Sequence, residues 1–572
     1  RKRNVWCNEG YNDWKNLSIA LDRHSSSKDH IQNEVTFKTL IKTSNLDLES
    51  PKHSDSSIKE NRVRYIGAVL EYEPFSKWSE EGKGYDVMRR NARTVIKYAK
   101  KAKSYDPSQL ILKFSQQNTD IIIAPEYGIQ SLSMFNFVNN TENFLTFTQY
   151  VPDPSLRMVV CNQEEKPNSK YEVIKILSCG ALTNQIYIVA DLAEFVPCSN
   201  ERVDQSLPWS YEIQENCPKE GYFVYNVQIV FNRKGAVVAR YRKQNLYLED
   251  LFTPGPQNDI EAIFITDFNV AFSLQICFDI LFEHPGYANS KNYGIRDVAM
   301  STAWAIGVQN GFSRGLGVNL LVSGYHRPDK GNLGSGIYKG YPVDDLSLYS
   351  FDGNSGNVLL VSTVETVAAS SLNLPISDWE SEENVRNYTS HPIDIKVSLK
   401  KFNDLKTSNR PHIFKYEDLS QYTKVLLERS NFQNTSKSIA CSQDNFCCTL
   451  NYKYSGNQTY YLFAYNGNIT LGDGIYVVGM QTCSVVWCQN SDYETCSRIE
   501  TDSQVSDSFP YLEISSNSFS VDAVYPIHNH RNTSLIRNDV LEFKAQNKYS
   551  SIKSLKPIEN LLVIALQGRI FF

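Results

Sequence analysis

No stretch of this 572-residue sequence approaches the roughly 20 apolar residues that a membrane-spanning helix needs. The apolar run Leu561–Leu566 is short and closes in Gln567-Gly-Arg-Ile-Phe-Phe572, which reads as a final strand and not as a membrane or lipid anchor. Charge of one sign is missing too. Lys and Arg number 58 against 63 Asp and Glu, and the net charge of −5 gives no reason to expect a nucleic-acid partner. The cysteine cluster near the C-terminus lacks the paired C-x₂-C spacing with histidine support that a zinc site wants. No internal repeat is visible. The numbering opens at Arg1-Lys-Arg3 without a hydrophobic signal segment, so a mature or trimmed form is expected, and membrane attachment of a longer precursor stays open.

The features that are present point outward. Of 12 cysteines, Cys441, Cys447, Cys448, Cys483, Cys488 and Cys496 crowd together near the C-terminus, and Cys198 and Cys217 bracket a polar loop. Six clustered cysteines suggest a disulfide framework, with about 15 connectivities open. N-x-[ST] sequons stand at Asn16, Asn139, Asn387, Asn434, Asn457, Asn468 and Asn532, four of them in the cysteine-rich third. Together they indicate an oxidising, extracellular compartment and a secreted chain.

The length calls for two or more domains. Residues 1–61 are polar and read as an extension of low order. From about 62 to 370, strands alternate with helices. Val63–Leu70 is a strand, and Tyr85–Lys103 spaces Met88, Ala92, Val95, Ile96 and Ala99 as an amphipathic helix whose basic face is most simply solvated. Asp120–Ile123 is a short buried strand ending at Pro125, and Gln185–Ala190 is another. Tyr225–Phe231 and Ala236–Tyr241 form a hairpin. Ala271–Ile276, Val298–Trp304 and Val318–Ser323 come next, giving a layered α/β domain. Beyond about 371, helices become scarce and Tyr460–Tyr465, Gly474–Gly479 and Leu561–Leu566 read as strands of a second, mainly β, disulfide-tied domain.

Three polar residues fall at strand ends of the first domain: Glu126, Lys243 and Cys277. Cys277 ends an apolar run where a helix is expected to start, and a helix N-terminus favours a thiolate. A thiol needs a base or a positive neighbour to act as nucleophile. Glu126 could take its proton, and Lys243 could lower its pKa and hold an oxyanion with the backbone N–H of Phe278. Each residue also has a plain structural role open to it: a turn carboxylate, a surface base, a core cysteine. On spacing alone those roles are favoured.

Resemblance changes the balance. Ile122-Ile-Ala-Pro-Glu126-Tyr-Gly-Ile129, Ala239-Arg-Tyr-Arg-Lys243-Gln-Asn-Leu-Tyr247 and Gln275-Ile-Cys277-Phe-Asp-Ile-Leu-Phe282 resemble the Glu, Lys and Cys motifs of the nitrilase superfamily, and within it the vanin/biotinidase branch. Val151–Pro154, Leu177–Gly180, Ser301–Trp304, Gly334–Tyr338 and the C-terminal cysteines agree, over about residues 62–572. The resemblance implies an α-β-β-α nitrilase sandwich over 62–370 and a smaller, mainly β base domain over 371–572. It implies hydrolysis of a linear amide C–N bond with no metal and no cofactor. Cys277 would attack, Glu126 would serve as general base and acid, and Lys243 with the Phe278 N–H would hold the oxyanion. Glu249 matches a second glutamate of the superfamily that would orient Lys243 or the water, with an exposed loop carboxylate as the other reading. Asp279 is expected to be structural.

The partner so implied is a small-molecule amide, pantetheine-like first and a biotin amide such as biocytin second. The rival from another class is a non-catalytic binding protein that kept the fold. Homodimers are common in the superfamily, but this sequence carries no dimer signal of its own. Tyr127 stands where the branch usually has Asp, the chain is shorter between Trp304 and Val318, and Gly307-Val-Gln-Asn-Gly311 replaces a more aromatic run. These differences, with Tyr127 and Trp304 near the base, bear on the substrate pocket. The extension 1–61 has no counterpart in the family.

Overall fold

Apolar runs bounded by turn residues do become strands, and they assemble into two packed sheets. The computed structural model describes residues 61–572 apart from 78–82, 105–118, 138, 164–169, 199–216, 304–307, 328–333, 343–346, 351–355, 377–393, 400–418, 429–433, 473, 497–506 and 532–533. The expected polar extension therefore lies outside the described residues, as do Trp304, Asn16, Asn387 and Asn532. Glu60–Ile469 and Val478–Phe572 form one compact unit.

The first sheet is built around β1 (Arg62–Glu71) and β2 (Ile121–Ile123), which run parallel. A two-residue strand β3 (Thr148–Gln149) and then β2 flank β4 (Tyr187–Pro197). Antiparallel β5 (Tyr222–Phe231) and β6 (Val237–Arg242) extend that side. The second sheet runs in space from β7 (Ile263–Ile265) through β8 (Ala271–Ile276), β9 (Asp297–Ser301), β10 (Asn319–Ser323) and β11 (Gly336–Lys339) to β12 (Leu348–Tyr349). β13 (Asn357–Val367) then returns to pair with β1, and β14 (Asp394–Leu399) pairs with β13. The first sheet thus draws on residues beyond the expected boundary near 370.

Strands covered on both faces carry unbroken apolar runs, as Ile121-Ile-Ile123 does. One row of each sheet meets the other: Tyr65, Val69, Ile123 and Val189 pack with Phe272, Leu274, Ala299 and Leu321. The outer face of the first sheet takes helices α1 (Lys83–Ser104) and α2 (Glu172–Asn184), through Met88, Ala92, Val95, Val173 and Leu177. On the far side of the second sheet lie α3 (Gly286–Tyr293) and α4 (Val308–Leu316), whose Val308 and Phe312 pack with Val298 and Met300. This is the α-β-β-α layering that the resemblance implies.

The C-terminal part is two β-sheets. One orders β15 (Thr423–Leu426), β18 (Thr459–Leu471), β19 (Tyr476–Cys488), β25 (Leu561–Ile570) and β21 (Ala523–His530). The other orders β16 (Ser436–Cys441), β17 (Cys447–Ser455), β20 (Ser508–Ser516), β23 (Tyr549–Ser554) and β22 (Leu541–Gln546), with β24 (Ile558–Glu559) beside β20. The open connectivity resolves to Cys441–Cys447, Cys448–Cys483 and Cys488–Cys496, and Cys198 pairs with Cys217. A fifth bridge, Cys161–Cys179, ties the turn before α2 to that helix, and no clustering in the sequence announces it. Helix α4 reaches both sheets of the C-terminal part: Asn310 Nδ2 lies 3.2 Å from His528 Nε2 of β21, and Arg314 donates to Leu541 O at the start of β22.

Candidate active site

The carboxylate of Glu126 is delivered by a strand that has to stop. Three buried isoleucines lead into Ala124-Pro125, and proline cannot donate to a ladder, so the chain leaves the sheet at Glu126. The turn is held from outside by Tyr325, whose hydroxyl donates to Tyr127 O at 3.0 Å, and by Tyr72, which donates to Gly128 O. Tyr127 itself sits at φ +51, a left-handed conformation costly for an aromatic residue. Glu126 is buried, and both of its oxygens accept hydrogen bonds. Oε1 accepts from Lys243 Nζ at 2.7 Å and from Asn226 Nδ2 at 3.0 Å, and Oε2 accepts from Ala303 N–H at 3.0 Å.

Lys243 comes directly after the last residue of β6. Its backbone N–H still donates to Asn226 O, and its carbonyl accepts from Gly255 N–H at 2.7 Å. A Cβ on Gly255 would come within 2.2 Å of Arg242 O, so only glycine permits this loop to close over the lysine. The ammonium bridges two carboxylates, with Glu249 Oε1 at 2.5 Å as the second. Glu249 is buried, so it is not the exposed loop carboxylate of its other reading. Leu248 beside it has φ +53, which turns the loop inward.

Cys277 stands directly after β8 with φ +46 and is the one free cysteine among the described residues. The element it opens is not an α-helix. It is a five-residue 3₁₀ turn, Cys277–Leu281, too short for the macrodipole support expected of a helix N-terminus. Asp279 fixes this turn by accepting from Ile276 N–H (2.9 Å), the Tyr241 hydroxyl (2.9 Å) and Asn245 Nδ2 (2.9 Å), the structural role expected of it. Thr302, on the neighbouring strand end, hydrogen-bonds the thiol. Cross-sheet bonds set the two halves against each other: Ser301 Oγ donates to Ala124 O at 2.7 Å, and Gln275 N–H donates to Gln228 Oε1 at 3.0 Å. Phe278 packs on Tyr247 and Phe282 with ring centroids 4.7 and 5.0 Å apart.

Electrostatics result from burying these groups together. Burial pushes the Cys277 thiol well above its ordinary value, and Glu126 adds to that, while Lys243 pulls the other way without prevailing. Lys243 therefore does act to lower the thiol pKa, as its position in the sequence suggests it could, but burial and Glu126 outweigh it, so the thiol depends on a base. Burial works against the Lys243 ammonium, but Glu126 and Glu249 outweigh it and hold the lysine charged well past its usual range. Burial also raises the carboxyls of Glu249 and, more strongly, Asp191. Asp191 Oδ1 accepts from Tyr127 N–H at 2.7 Å. Burying Glu249 and Asp191 near each other and near one ammonium is what favours their protonated forms.

Asn226, Asp191 and Thr302 carry no signal in the sequence. Asn226 lies mid-strand in β5, and its Nδ2 reaches Glu126, the Tyr127 hydroxyl (3.1 Å) and Glu249 Oε2 (3.4 Å). Tyr127 has its hydroxyl in this network, with its ring 5.3 Å from that of Phe135. Of the sequons, Asn139, Asn434, Asn457 and Asn468 are exposed.

The model of the Carbon-nitrogen hydrolase family matches residues 90–293, and that of the Vanin C-terminal domain matches residues 412–572. Pantetheinase of Homo sapiens is 28% identical over 479 residues, covering 81% of this chain and 81% of its own. Biotinidase of Mus musculus is 26% identical over 482 residues, covering 81% of this chain and 86% of its own. An amidase from Nesterenkonia sp. aligns in structure with a TM-score of 0.31 and 17% identity, over 53% of this chain and 90% of that one.

Proposed function

We propose that this chain, which belongs to the vanin/biotinidase branch of the nitrilase superfamily and hydrolyses amide C–N bonds, acts on a linear carboxamide of the pantetheine type through a thioester on Cys277. The observation that carries the reading is the buried Lys243 ammonium bridging Glu126 and Glu249 beside a free cysteine. Because the thiol rests protonated, Glu126 takes its proton as Sγ bonds to the amide carbon. The carbonyl oxygen becomes an oxyanion, met by Lys243 and the Phe278 N–H. Glu126 returns the proton to the amide nitrogen, the C–N bond breaks and the amine leaves. Water then gives a proton to Glu126 and attacks the thioester, and the C–S bond breaks as the thiol is restored with a carboxylic acid as product. Glu249 keeps Lys243 aimed throughout.

Under this reading residues 62–370 carry the chemistry, and 371–572 form the base domain, lending β14 to the first sheet. Five disulfides and four exposed sequons support secretion into an oxidising compartment. The test is amine release from pantetheine and from biocytin by the wild-type protein and by Cys277→Ala. Turnover lost in the variant is expected, with pantetheine the better substrate. Turnover that survives Cys277→Ala would overturn the thioester route, and faster cleavage of biocytin would reassign the substrate.

A further inference from the structure

Helix α1 carries a charge that the rest of the chain does not. Its sequence holds eight Lys and Arg and one acidic residue, Asp86, in a chain whose net charge is −5. Some of these cations are spent on structure. Arg89 pairs with Asp86 and Glu172, and Lys103 donates to the carbonyls of Thr119 and Gln185. Arg90, Arg93, Lys97, Lys100 and Lys101 make no ion pair among the described residues. At the helical 100° per residue these five fall within an arc of about 100° and run for roughly 16 Å along the axis. Arg90, Arg93, Lys97 and Lys100 are exposed, while the opposite face, with Met88, Ala92, Val95 and Ala99, is buried against the first sheet. Like charges three and four residues apart work against a helix, so this clustering is not explained by the stability of α1. Arg90 lies with its guanidinium 3.9 Å over the Phe75 ring, which fixes one end of the stripe.

We propose that this ridge is a docking surface for a linear sulfated polysaccharide. A straight row of cations complements a linear polyanion, and arginine forks suit sulfate oxygens. Five disulfides put the chain in an oxidising, extracellular setting, where such polymers are the linear polyanions at hand. A membrane-surface helix would need an apolar flank, and none of the exposed large hydrophobic residues lies on α1. The inference rests on the extracellular reading and is independent of the catalytic one.

Heparin is the probe, immobilised, at about 0.15 M NaCl where diffuse attraction is largely screened. The wild type is compared with Arg90→Ala/Arg93→Ala/Lys97→Ala/Lys100→Ala and with a control, Lys544→Ala/Lys548→Ala/Lys556→Ala, which removes exposed lysines of the base domain. The ridge variant exchanges exposed side chains for the best helix former, so its melting temperature and amide turnover hold at wild-type values. The expected result is at least about tenfold weaker heparin binding by the ridge variant and less than about twofold change in the control. No wild-type binding, or equal weakening by the control, would overturn the assignment. Binding to phosphatidylserine vesicles without binding to heparin would overturn it in favour of a membrane.

Discussion

Asn226 Nδ2 stands 3.0 Å from Glu126 Oε1, and the same amide reaches Glu249 Oε2 at 3.4 Å, so one side chain spans both carboxylates that share the Lys243 ammonium. A donor to a carboxylate favours its charged form. Asn226→Ala is therefore expected to raise the acid limb of the kcat/KM profile to higher pH. Losing one charge-assisted bond of about 1.5–3 kcal/mol should lower kcat about 10–100-fold. Asn226→Asp should do worse, because it adds a carboxylate among those already crowding the lysine. A pH–rate profile for Asn226→Ala that overlays the wild type after scaling would remove the positioning role.

The thiol and the base are coupled in a way that separates reactivity from catalysis. Glu126 is one of the groups that push the Cys277 thiol up, after burial, whereas Lys243 pulls it down. In Glu126→Gln the repulsion disappears and the lysine stays. Iodoacetamide should then alkylate Cys277 faster at about pH 7–8 in the variant than in the wild type, while amide turnover falls at least about 100-fold for want of the base. Slower alkylation in the variant would mean that Glu126 governs the thiol by proton transfer alone.

Glu126, Lys243 and Cys277 each follow a strand, yet spacing alone favours plain structural roles for them, and it is the resemblance of their flanking motifs that singles them out. Glu249 was ambiguous, since its approach to Lys243 depends on a left-handed Leu248 that no local pattern announces. Asn226 and Asp191 were invisible. In a strand covered on both faces, alternation no longer marks which side a polar residue takes, and only the packing of β4 on β5 reveals it. The turn after Cys277 reads as an α-helix in the sequence because five residues are too few to distinguish the two helical periods. Composition shifts near 371, but β14 lies beyond that point and still pairs into the first sheet, which composition does not encode.

A buried carboxyl between the sheets gives a pH test of stability. Asp297 is pushed up to about 6 by burial, despite donors from Tyr65 (2.7 Å) and Asn319 (3.1 Å) and from Thr366. Its folded value exceeds the unfolded one of 3.8, so the folded state holds the extra proton between them. Its contribution is fully present below about pH 4 and is lost as pH rises through about 6, by about 2–3 kcal/mol. In Asp297→Asn this loss vanishes. The unfolding free energy, from urea titrations at about pH 4.5 and 6.5, should change less unfavourably across that interval in the variant by about that amount. Identical pH dependence in both proteins would show that Asp297 ionises normally.

The seam between the sandwich and the base domain is set by two missing side chains. A Cβ on Gly315 of α4 would lie 2.4 Å from Val524 O and 2.9 Å from Tyr525 Cδ1, and one on Gly311 would meet Pro526 O at 3.1 Å. The helix therefore rides directly on the backbone of β21, with Phe312 and Tyr525 packed at 5.6 Å between ring centroids. Gly311→Ala needs a shift of a few tenths of an ångström, whereas Gly315→Ala forces main chain away from main chain. Replacing Gly by Ala within a helix usually stabilises it, by about 1 kcal/mol. Here the sign should reverse at Gly315, with a loss of about 1–3 kcal/mol from overpacking. Gly311→Ala should fall between the two. Melting temperatures of the two variants decide it, and a Gly315→Ala protein at least as stable as the wild type would show that the seam can part without cost.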